Sequence, residues 1–189
     1  MPKASHIFPV TYFLLKAATI LCFLAAGILL LCLLGLAGVM LTNLADVLEI
    51  PVLLEGYPRN QLLAIAVVAV AGGLIYVLLA MLVFVLFTKI VESAMTGDPF
   101  IAVNADRLTR AGWLLLATYL VGIVTGIAAL GMVPTKLLEK AGEDAPNLIH
   151  INTGGDPSPV GILTILLIFV LAQIFRRGAQ MRADLEGTV

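Results

Sequence analysis

The chain has 189 residues, of which 61% are hydrophobic and 12% charged, with a formal net charge of −1. A globular domain has about 25% charged residues, so a water-soluble fold of this length lacks the polar surface to cover so many apolar side chains. The composition therefore predicts one integral membrane domain over residues 1–189, and the lack of a basic excess argues against direct nucleic-acid binding.

The chain begins with a short polar segment and then enters a long apolar run. Residues 17–45 contain no charged side chain, and Lys16 stands directly before them. The apolar core of a cleavable secretory signal has about 7–15 residues, so this run is too long for one. Because about 20 apolar residues cross the hydrocarbon core of a bilayer as a helix, the run predicts a first transmembrane helix over residues 17–41.

The second run also lacks charged residues, over residues 60–88, and predicts a span at 62–87. An acidic loop over residues 43–61 separates it from the first span. A polar hinge over residues 88–111 follows it. Within this hinge we expect Gly97 and Asp98 to end the second helix, and Asn104 to cap the start of the third.

The third and fourth runs, residues 111–135 and 157–175, predict spans at 112–133 and 159–175. Trp113 opens the third run, where an indole suits the headgroup level. In the loop between them, 134–158, the alternating segment 148–152 predicts a short strand paired with residues 52–54. The acidic residues of this loop leave weak binding of a divalent cation as an alternative to a solvated loop. The predicted fold class is all-α, a four-transmembrane-helix bundle.

The positions of the basic residues predict the orientation of this bundle. If both termini and the hinge lie on one side, that side holds eight of the eleven Lys and Arg residues and the other side holds three. Short cytoplasmic loops carry the excess of Lys and Arg in membrane proteins. The N-terminus and the C-terminus are therefore both predicted to be cytoplasmic.

Small residues at four-residue spacing predict close packing between helices. Gly122 and Gly126 form a GxxxG pattern in the third run, and Ala69 and Gly73 repeat the spacing in the second. Missing side chains along one helical face let a neighbouring backbone approach. The pattern favours packing within the bundle, and a homodimer face is the alternative.

The sequence predicts no catalytic chemistry. No His, Cys, Asp and Glu grouping has the spacing of metal ligands, and no nucleophile elbow or phosphate-binding loop occurs. We therefore predict that the protein is not an enzyme and has no cofactor and no metal. A charge at membrane depth would indicate transport, and the four runs contain none. The polar face of Thr118, Tyr119 and Thr125 leaves a small-solute transporter or channel as the alternative function.

The hinge and the C-terminal tail hold the most distinctive polar residues. Arg107 and Arg110 lie one turn apart and share a helical face. One interpretation is that the basic residues of the hinge and tail anchor the helices at the membrane interface. The other is that hinge and tail fold into one cytoplasmic surface, with Arg107 or Arg110 paired to Asp184 or Glu186. The candidate docking residues are Asp98, Asn104, Arg107, Arg110, Arg176, Arg177 and Glu186.

The same residues resemble those of a known family. The G-D-P-F segment at 97–100, followed by Asn104, Arg107-Leu108 and Gly112-Trp113, is similar to the hinge of the YoaS-like bacterial proteins. The closing I-F-R-R-G-A at 174–179, before L-E-G-T-V at 185–189, is similar to their tail. The resemblance covers nearly the whole chain. It implies a four-helix protein of the bacterial cytoplasmic membrane with uncharacterised activity, often encoded beside a small helix-turn-helix regulator, and it supplies no catalytic residue.

The predicted function follows from the position of these residues at one end of the helices. We interpret the chain as a multi-pass membrane protein that acts through protein contacts at its cytoplasmic hinge and tail. The expected partners are membrane lipid and a cytoplasmic regulator protein, for which a small helix-turn-helix protein is the candidate. A homo-oligomer remains an open alternative.

Overall fold

The computed structural model of the protein describes residues 7–42, 59–97, 99–132 and 159–186. These residues form four helices, α1 (Ile7–Thr42), α2 (Arg59–Thr96), α3 (Ala102–Met132) and α4 (Pro159–Glu186). Each is long and apolar enough to cross a membrane. The all-α prediction is therefore confirmed for the described residues, which have the four helices of a multi-pass membrane protein. The strands predicted at 52–54 and 148–152 lie outside the described residues.

The helix ends fall at residues whose backbones suit them. Pro159 is the first residue of α4 and Pro9 lies in the first turn of α1, where a missing N–H costs no intrahelical hydrogen bond. α2 ends at Thr96, directly before Gly97, whose φ of 146° is open to glycine and strained for other residues. The predicted end of the second helix is confirmed.

The helices continue well beyond their charge-free runs, as α2 and α4 illustrate. α2 has 38 residues, which is about 57 Å at 1.5 Å per residue, against about 30 Å for the hydrocarbon core. α4 remains helical to Glu186, although its charge-free run ends at Phe175. The tail after the predicted fourth span, 159–175, is therefore a helix. Charge determines where a helix leaves hydrocarbon, whereas Ala, Gln, Met, Arg and Leu in this tail favour continued helix.

The four helices divide between two compact units. The first contains Met1–Leu24, Leu78–Tyr119 and Pro157–Val189, and therefore segments of all four helices. The second contains Ala25–Val77 and Leu120–Asp156, and therefore segments of α1, α2 and α3. The contacts within each unit show how its helices pack, and the prediction of a single membrane domain over 1–189 remains a prediction.

Within the second unit, α2 and α3 meet at small residues. A Cβ added at Gly72 would overlap the side chain of Thr125, so this glycine allows the two helices to touch. Gly122 and Gly126 are both buried on α3. At the far end of the same pair of helices, the side-chain amide of Gln61 donates to the carbonyl of Met132 at 3.0 Å, which satisfies one of the carbonyls that a helix leaves unpaired at its C-terminus.

Within the first unit, α3 and α4 form an antiparallel pair around Phe169. The indole of Trp113 meets the Phe169 ring edge-on, with ring centroids 5.5 Å apart. A Cβ added at Gly112 would lie 3.0 Å from two atoms of the same ring. Arg176, seven residues after Phe169 on α4, pairs with Asp106, seven residues before Trp113 on α3. Gly112 therefore provides the space that brings the two helices together at the edge of their apolar segments.

Candidate functional site

Three helices of the first unit carry polar segments beyond their charge-free runs. We call these segments, residues 89–110 and 176–186, the platform. It comprises the last two turns of α2, the residues between α2 and α3, the first turns of α3 and the last three turns of α4. Five of the seven candidate docking residues have described side chains in it. The platform is therefore where the predicted hinge and tail come together.

Asn104 forms the buried centre of the hinge. Its side chain has no exposed surface. The amide group donates to the Ser93 hydroxyl and, at 2.9 Å, to the carbonyl of Pro99, while its carbonyl oxygen accepts from Arg107 at 2.9 Å. Both amide hydrogens and the oxygen thus have partners, as a buried amide requires. Asn104 therefore connects the end of α2 and Pro99 with the start of α3.

This arrangement differs from the predicted helix cap. α3 begins at Ala102, so Asn104 lies inside its first turn, and the backbone N–H of Asn104 donates to the carbonyl of Ile101 at 2.9 Å. The Asn104 side-chain oxygen accepts from the Arg107 guanidinium and not from an early backbone N–H. Full burial explains the difference, because the side chain points at α2, where it finds the Ser93 hydroxyl.

Arg107 extends the same network across to α2. Its guanidinium donates to the carbonyl of Lys89 at 3.0 Å and to Asn104. A guanidinium has several donors in fixed directions, so one side chain can hold two helices in register. Arg107 is half-buried and serves the internal structure of the hinge.

The tail is joined to the hinge by an aromatic contact and an ion pair. The Phe100 ring lies 5.0 Å from the Phe175 ring, centroid to centroid, and packs over Gly178. The Arg176 guanidinium pairs with the Asp106 carboxylate at 2.9 Å. Hinge and tail therefore do fold together in the first unit, as one interpretation of the sequence proposed. The residues that join them are other than those predicted. Among the described residues, Arg107 and Arg110 make no ion pair with Asp184, so that predicted pairing is wrong, and a pairing with Glu186, whose side chain lies outside the described part, stays a prediction.

The platform also presents side chains outward. Lys89, Arg110 and Arg177 are exposed, and within the described part of the chain their side chains make no hydrogen bond or ion pair. Apolar side chains are exposed on all three of its helices. These are Met95 at 47%, Val103 at 52%, Met181 at 63% and Leu185 at 70%.

The structure separates the candidate docking residues into three groups. Asn104, Arg107 and Arg176 are engaged inside the platform. Arg110 and Arg177 face outward. Asp98 and the side chain of Glu186 lie outside what the structure describes.

The candidate packing residues also behave differently from one another. Gly122 and Gly126 are buried, whereas Ala69 is exposed. Gly73 has only one distant neighbour, a Leu29 methyl 3.8 Å from where its Cβ would stand. Among the described glycines, the shortest contact of an added Cβ is at Gly72, beside the predicted pair. The predicted packing residue Gly73 therefore lies one residue from Gly72, the residue that contacts α3.

Several contacts of the hinge and tail were not predicted from the sequence. They include those of Asn104 with Ser93, of Phe100 with Phe175, and of Asp106 with Arg176. A signal for the last was present. Asp106 lies seven residues before Trp113, and Arg176 lies seven residues after Phe169. Seven residues are close to two helical turns, so one antiparallel pair of helices brings both couples together. No comparable repeat points to Ser93.

Several threonines of the spans donate to backbone carbonyls. Thr19, Thr118 and Thr164 each donate to the carbonyl four residues earlier, at 2.8 Å. Thr118 is also buried. Among the described residues, no group of three or more His, Cys, Asp or Glu side chains is placed to hold a metal ion. Within this part of the chain, the polar groups thus serve helix structure and the platform.

Comparison with known proteins identifies a family but no function. A family model described as a protein of unknown function, DUF2975, matches residues 55–189. That range covers α2, α3 and α4 and therefore the whole platform. No curated protein matches the chain significantly, and no solved structure does.

Proposed function

The chain belongs to the DUF2975 family of proteins of unknown function, and from its platform we propose that it is a non-enzymatic, membrane-bound docking protein for a cytoplasmic protein partner. The platform has two properties that such a role requires. Its interior is held by hydrogen bonds and an aromatic contact, so its surface is pre-organised. Its outer surface combines apolar and charged side chains.

The observation that carries the proposal is the exposure of apolar side chains beyond the charged ends of the spans. Met181 and Leu185 are one turn apart on α4 and expose 63% and 70% of their surface. Both follow Arg176 and Arg177, so they lie past the point where α4 carries its first charges. Lipid tails cover exposed apolar residues within the spans, whereas neighbouring apolar residues exposed together beyond the first charges are typical of a protein contact.

We propose that the platform faces the cytoplasm of a bacterial cell. Eight of the eleven Lys and Arg residues lie on the side of the hinge and termini when the four helices cross the membrane in turn. The excess of basic residues in short cytoplasmic loops supports this orientation. A small helix-turn-helix regulator, the partner implied by the resemblance to the YoaS-like proteins, is our candidate for the docked protein.

The threonine contacts support docking over transport of a small solute. Thr118 is buried and donates to its own helix, and Thr125 fills the space beside Gly72. These are two of the three residues of the polar face on which a transporter or channel depended; the third, Tyr119, packs its ring beside Gly161. Side chains that complete helix packing have little capacity left to bind a solute.

Site-specific photocrosslinking in intact cells tests the docking role. A photoreactive residue would replace Met95, Val103 or Met181 on the platform, and Val124 or Ile127 as controls on the exposed face of the α3 span. We expect one and the same protein adduct from the platform positions and none from the controls. Absence of an adduct at all three platform positions would contradict the proposal.

A matched pair of variants then tests specificity. Met181→Glu should weaken recovery of the crosslinked protein about tenfold, because a charge at an apolar contact removes the anchor of an interface. Gln180→Glu adds the same charge at a neighbouring exposed position that points about 100° away around the helix, and it should have little effect. Equal losses in the two variants would indicate a general charge effect and no docking at Met181.

A further inference from the structure

The exposed basic residues of the platform lie where the lipid-facing surface ends, and this position gives them a second role. On α3, the exposed apolar residues Leu120, Val124 and Ile127 follow Trp113 at intervals of three, four or seven residues. Such spacing places them on one face of the helix. Arg110 precedes Trp113 by three residues and continues the same face. The stripe therefore changes from apolar to basic at this tryptophan.

Helix length places this change at the membrane boundary. The part of α3 from Trp113 to Met132 carries no charge and rises by about 29 Å, close to the roughly 30 Å of a hydrocarbon core. Trp113 is 61% exposed, and its ring rests edge-on against Phe169. An exposed indole at this depth belongs to the interfacial aromatic belt. Arg110 then lies about 4.5 Å further out along the axis, at the depth of lipid phosphates.

Arg110 also differs chemically from the neighbouring arginines. Arg107 donates to Lys89 and Asn104, and Arg176 pairs with Asp106. The Arg110 guanidinium is exposed and, within the described residues, has no hydrogen-bonding partner. A guanidinium at headgroup depth without a protein partner has the charge and the donor geometry to bind a phosphate.

The neighbouring helices show the same arrangement. On α2, Lys89 follows the exposed Leu82 by seven residues, and on α4, Arg177 follows the exposed Val170 by seven. Each is thus the first charge on its helix's outward face. Both are exposed, with no side-chain partner among the described residues.

We propose that Arg110, supported by Lys89 and Arg177, binds the phosphate of anionic membrane lipids and so enriches them around the platform end of the helices. This goes beyond the docking role, which rests on the apolar residues Met95, Val103 and Met181 and does not use Arg110. The two proposals therefore fail independently.

The single tryptophan of the chain allows a direct test, because it stands one turn from Arg110. The full-length protein would be reconstituted in mixed vesicles of phosphatidylglycerol and phosphatidylcholine, with either lipid brominated. Brominated chains quench Trp113 in proportion to their local concentration. We expect phosphatidylglycerol to be enriched about fivefold at Trp113, the factor that one basic residue provides near an anionic surface. The enrichment should fall as salt is raised.

Three variants make the outcome specific. Arg110→Gln should bring the enrichment close to one, and Arg110→Lys should retain most of it. Arg182→Gln removes the same charge from the exposed end of α4, beyond the part of this helix that Trp113 contacts. This variant should leave the lipid enrichment unchanged. Equal quenching by the two brominated lipids in the parent protein would overturn the proposal, as would an enrichment that survives in Arg110→Gln.

Two further outcomes separate other anions and partners. Added inorganic phosphate at the concentration of the lipid phosphate should displace little lipid; full displacement would show a site for free phosphate and contradict a lipid site. If Arg110→Gln keeps the lipid enrichment but loses the protein adduct formed at Met181, the arginine belongs to the docking surface and the lipid proposal is wrong.

Discussion

Gly72 is a residue at which α2 contacts α3 closely within the second unit. A Cβ at this position would overlap the Thr125 side chain, and both residues lie in helices that cannot separate without losing their contact. We expect Gly72→Ala to destabilise the protein by about 1–3 kcal/mol, as overpacking does in a close-packed interior. The loss would appear as a lower thermal midpoint of the detergent-solubilised protein, followed by circular dichroism.

Gly27→Ala is the control for this substitution. Gly27 lies in α1, and nothing stands within 4 Å of the place its Cβ would take. Alanine also favours the helix over glycine by about 1 kcal/mol, so this variant should be neutral or slightly more stable. Equal thermal midpoints for the two variants would show that α2 and α3 are not packed at Gly72.

Asn104 is the residue on which the hinge depends. Asn104→Leu keeps the approximate volume but leaves the Pro99 carbonyl and the Arg107 guanidinium each without one hydrogen bond. Because unsatisfied buried polar groups cost about 1–3 kcal/mol each, we expect a loss of about 2–3 kcal/mol, measured by the same thermal unfolding. Gln180→Leu, at an exposed helical position of the platform, should change the midpoint little. A stable Asn104→Leu variant would contradict the network.

At the scale of the helix, hydropathy predicted the spans because their signal is local. The charge-free runs fall on α1 to α4, and Gly97 marks the end of α2 because a positive φ favours glycine wherever it occurs. The continuation of α4 through Arg176 and Arg177 was not predicted, since a charge ends the membrane segment without ending the helix. Helix propensity over the tail was the signal that reports this continuation.

The side-chain partners within the candidate site were harder to predict, because they join separate helices. The sequence predicts that Asn104 caps a helix. Only the packing of α3 against α2 shows that its side chain donates a hydrogen bond to Ser93. The pairing of Arg176 with Asp106, 70 residues earlier, likewise depends on the α3–α4 alignment. Charge pattern alone offered Asp184 as an equal partner for the arginines of the hinge.

The alignment of α3 with α4 is itself testable. In a background with Cys22→Ser and Cys32→Ser, the double variant Asp106→Cys and Arg176→Cys should be joined efficiently by a short bismaleimide in membranes. We expect this crosslink because the two native side-chain ends are 2.9 Å apart. Replacing the second position by Arg182→Cys shifts the thiol about 9 Å along the helix and should reduce crosslinking strongly. Equal crosslinking of both pairs would contradict this alignment.

Removal of the ion pair should have a small effect. Both side chains are more than half exposed, at 52% for Arg176 and 61% for Asp106. Exposed pairs contribute about 0–1 kcal/mol because water and salt screen them. The α3–α4 contact therefore depends mainly on Phe169 in the space left by Gly112 and on Phe100 against Phe175.

Across the whole molecule, exposed basic residues follow the exposed apolar faces of the helices. The helices carry apolar residues on their outward faces along the spans, and Arg110 and Arg177 are exposed where these faces end. Under the two proposals, the platform begins where the membrane ends, and docking of a protein and binding of anionic lipid would use adjacent but different residues of this one surface. An anionic leaflet would then also set the height at which a partner meets Met181.

Docking of a cytoplasmic partner requires the platform to lie on the cytoplasmic side of the membrane. Labelling of single cysteines tests this orientation. In the background without Cys22 and Cys32, we expect the Gln180→Cys variant to react with a membrane-impermeant maleimide only after the cells are opened. Asn147→Cys, in the predicted loop 134–158, should react in intact cells once the outer membrane is permeable. The physical reason is the distribution of Lys and Arg, eight on one side against three on the other. The reverse pattern would place the platform outside the cell, and labelling of both variants in intact cells would mean that the two positions are not separated by an odd number of spans.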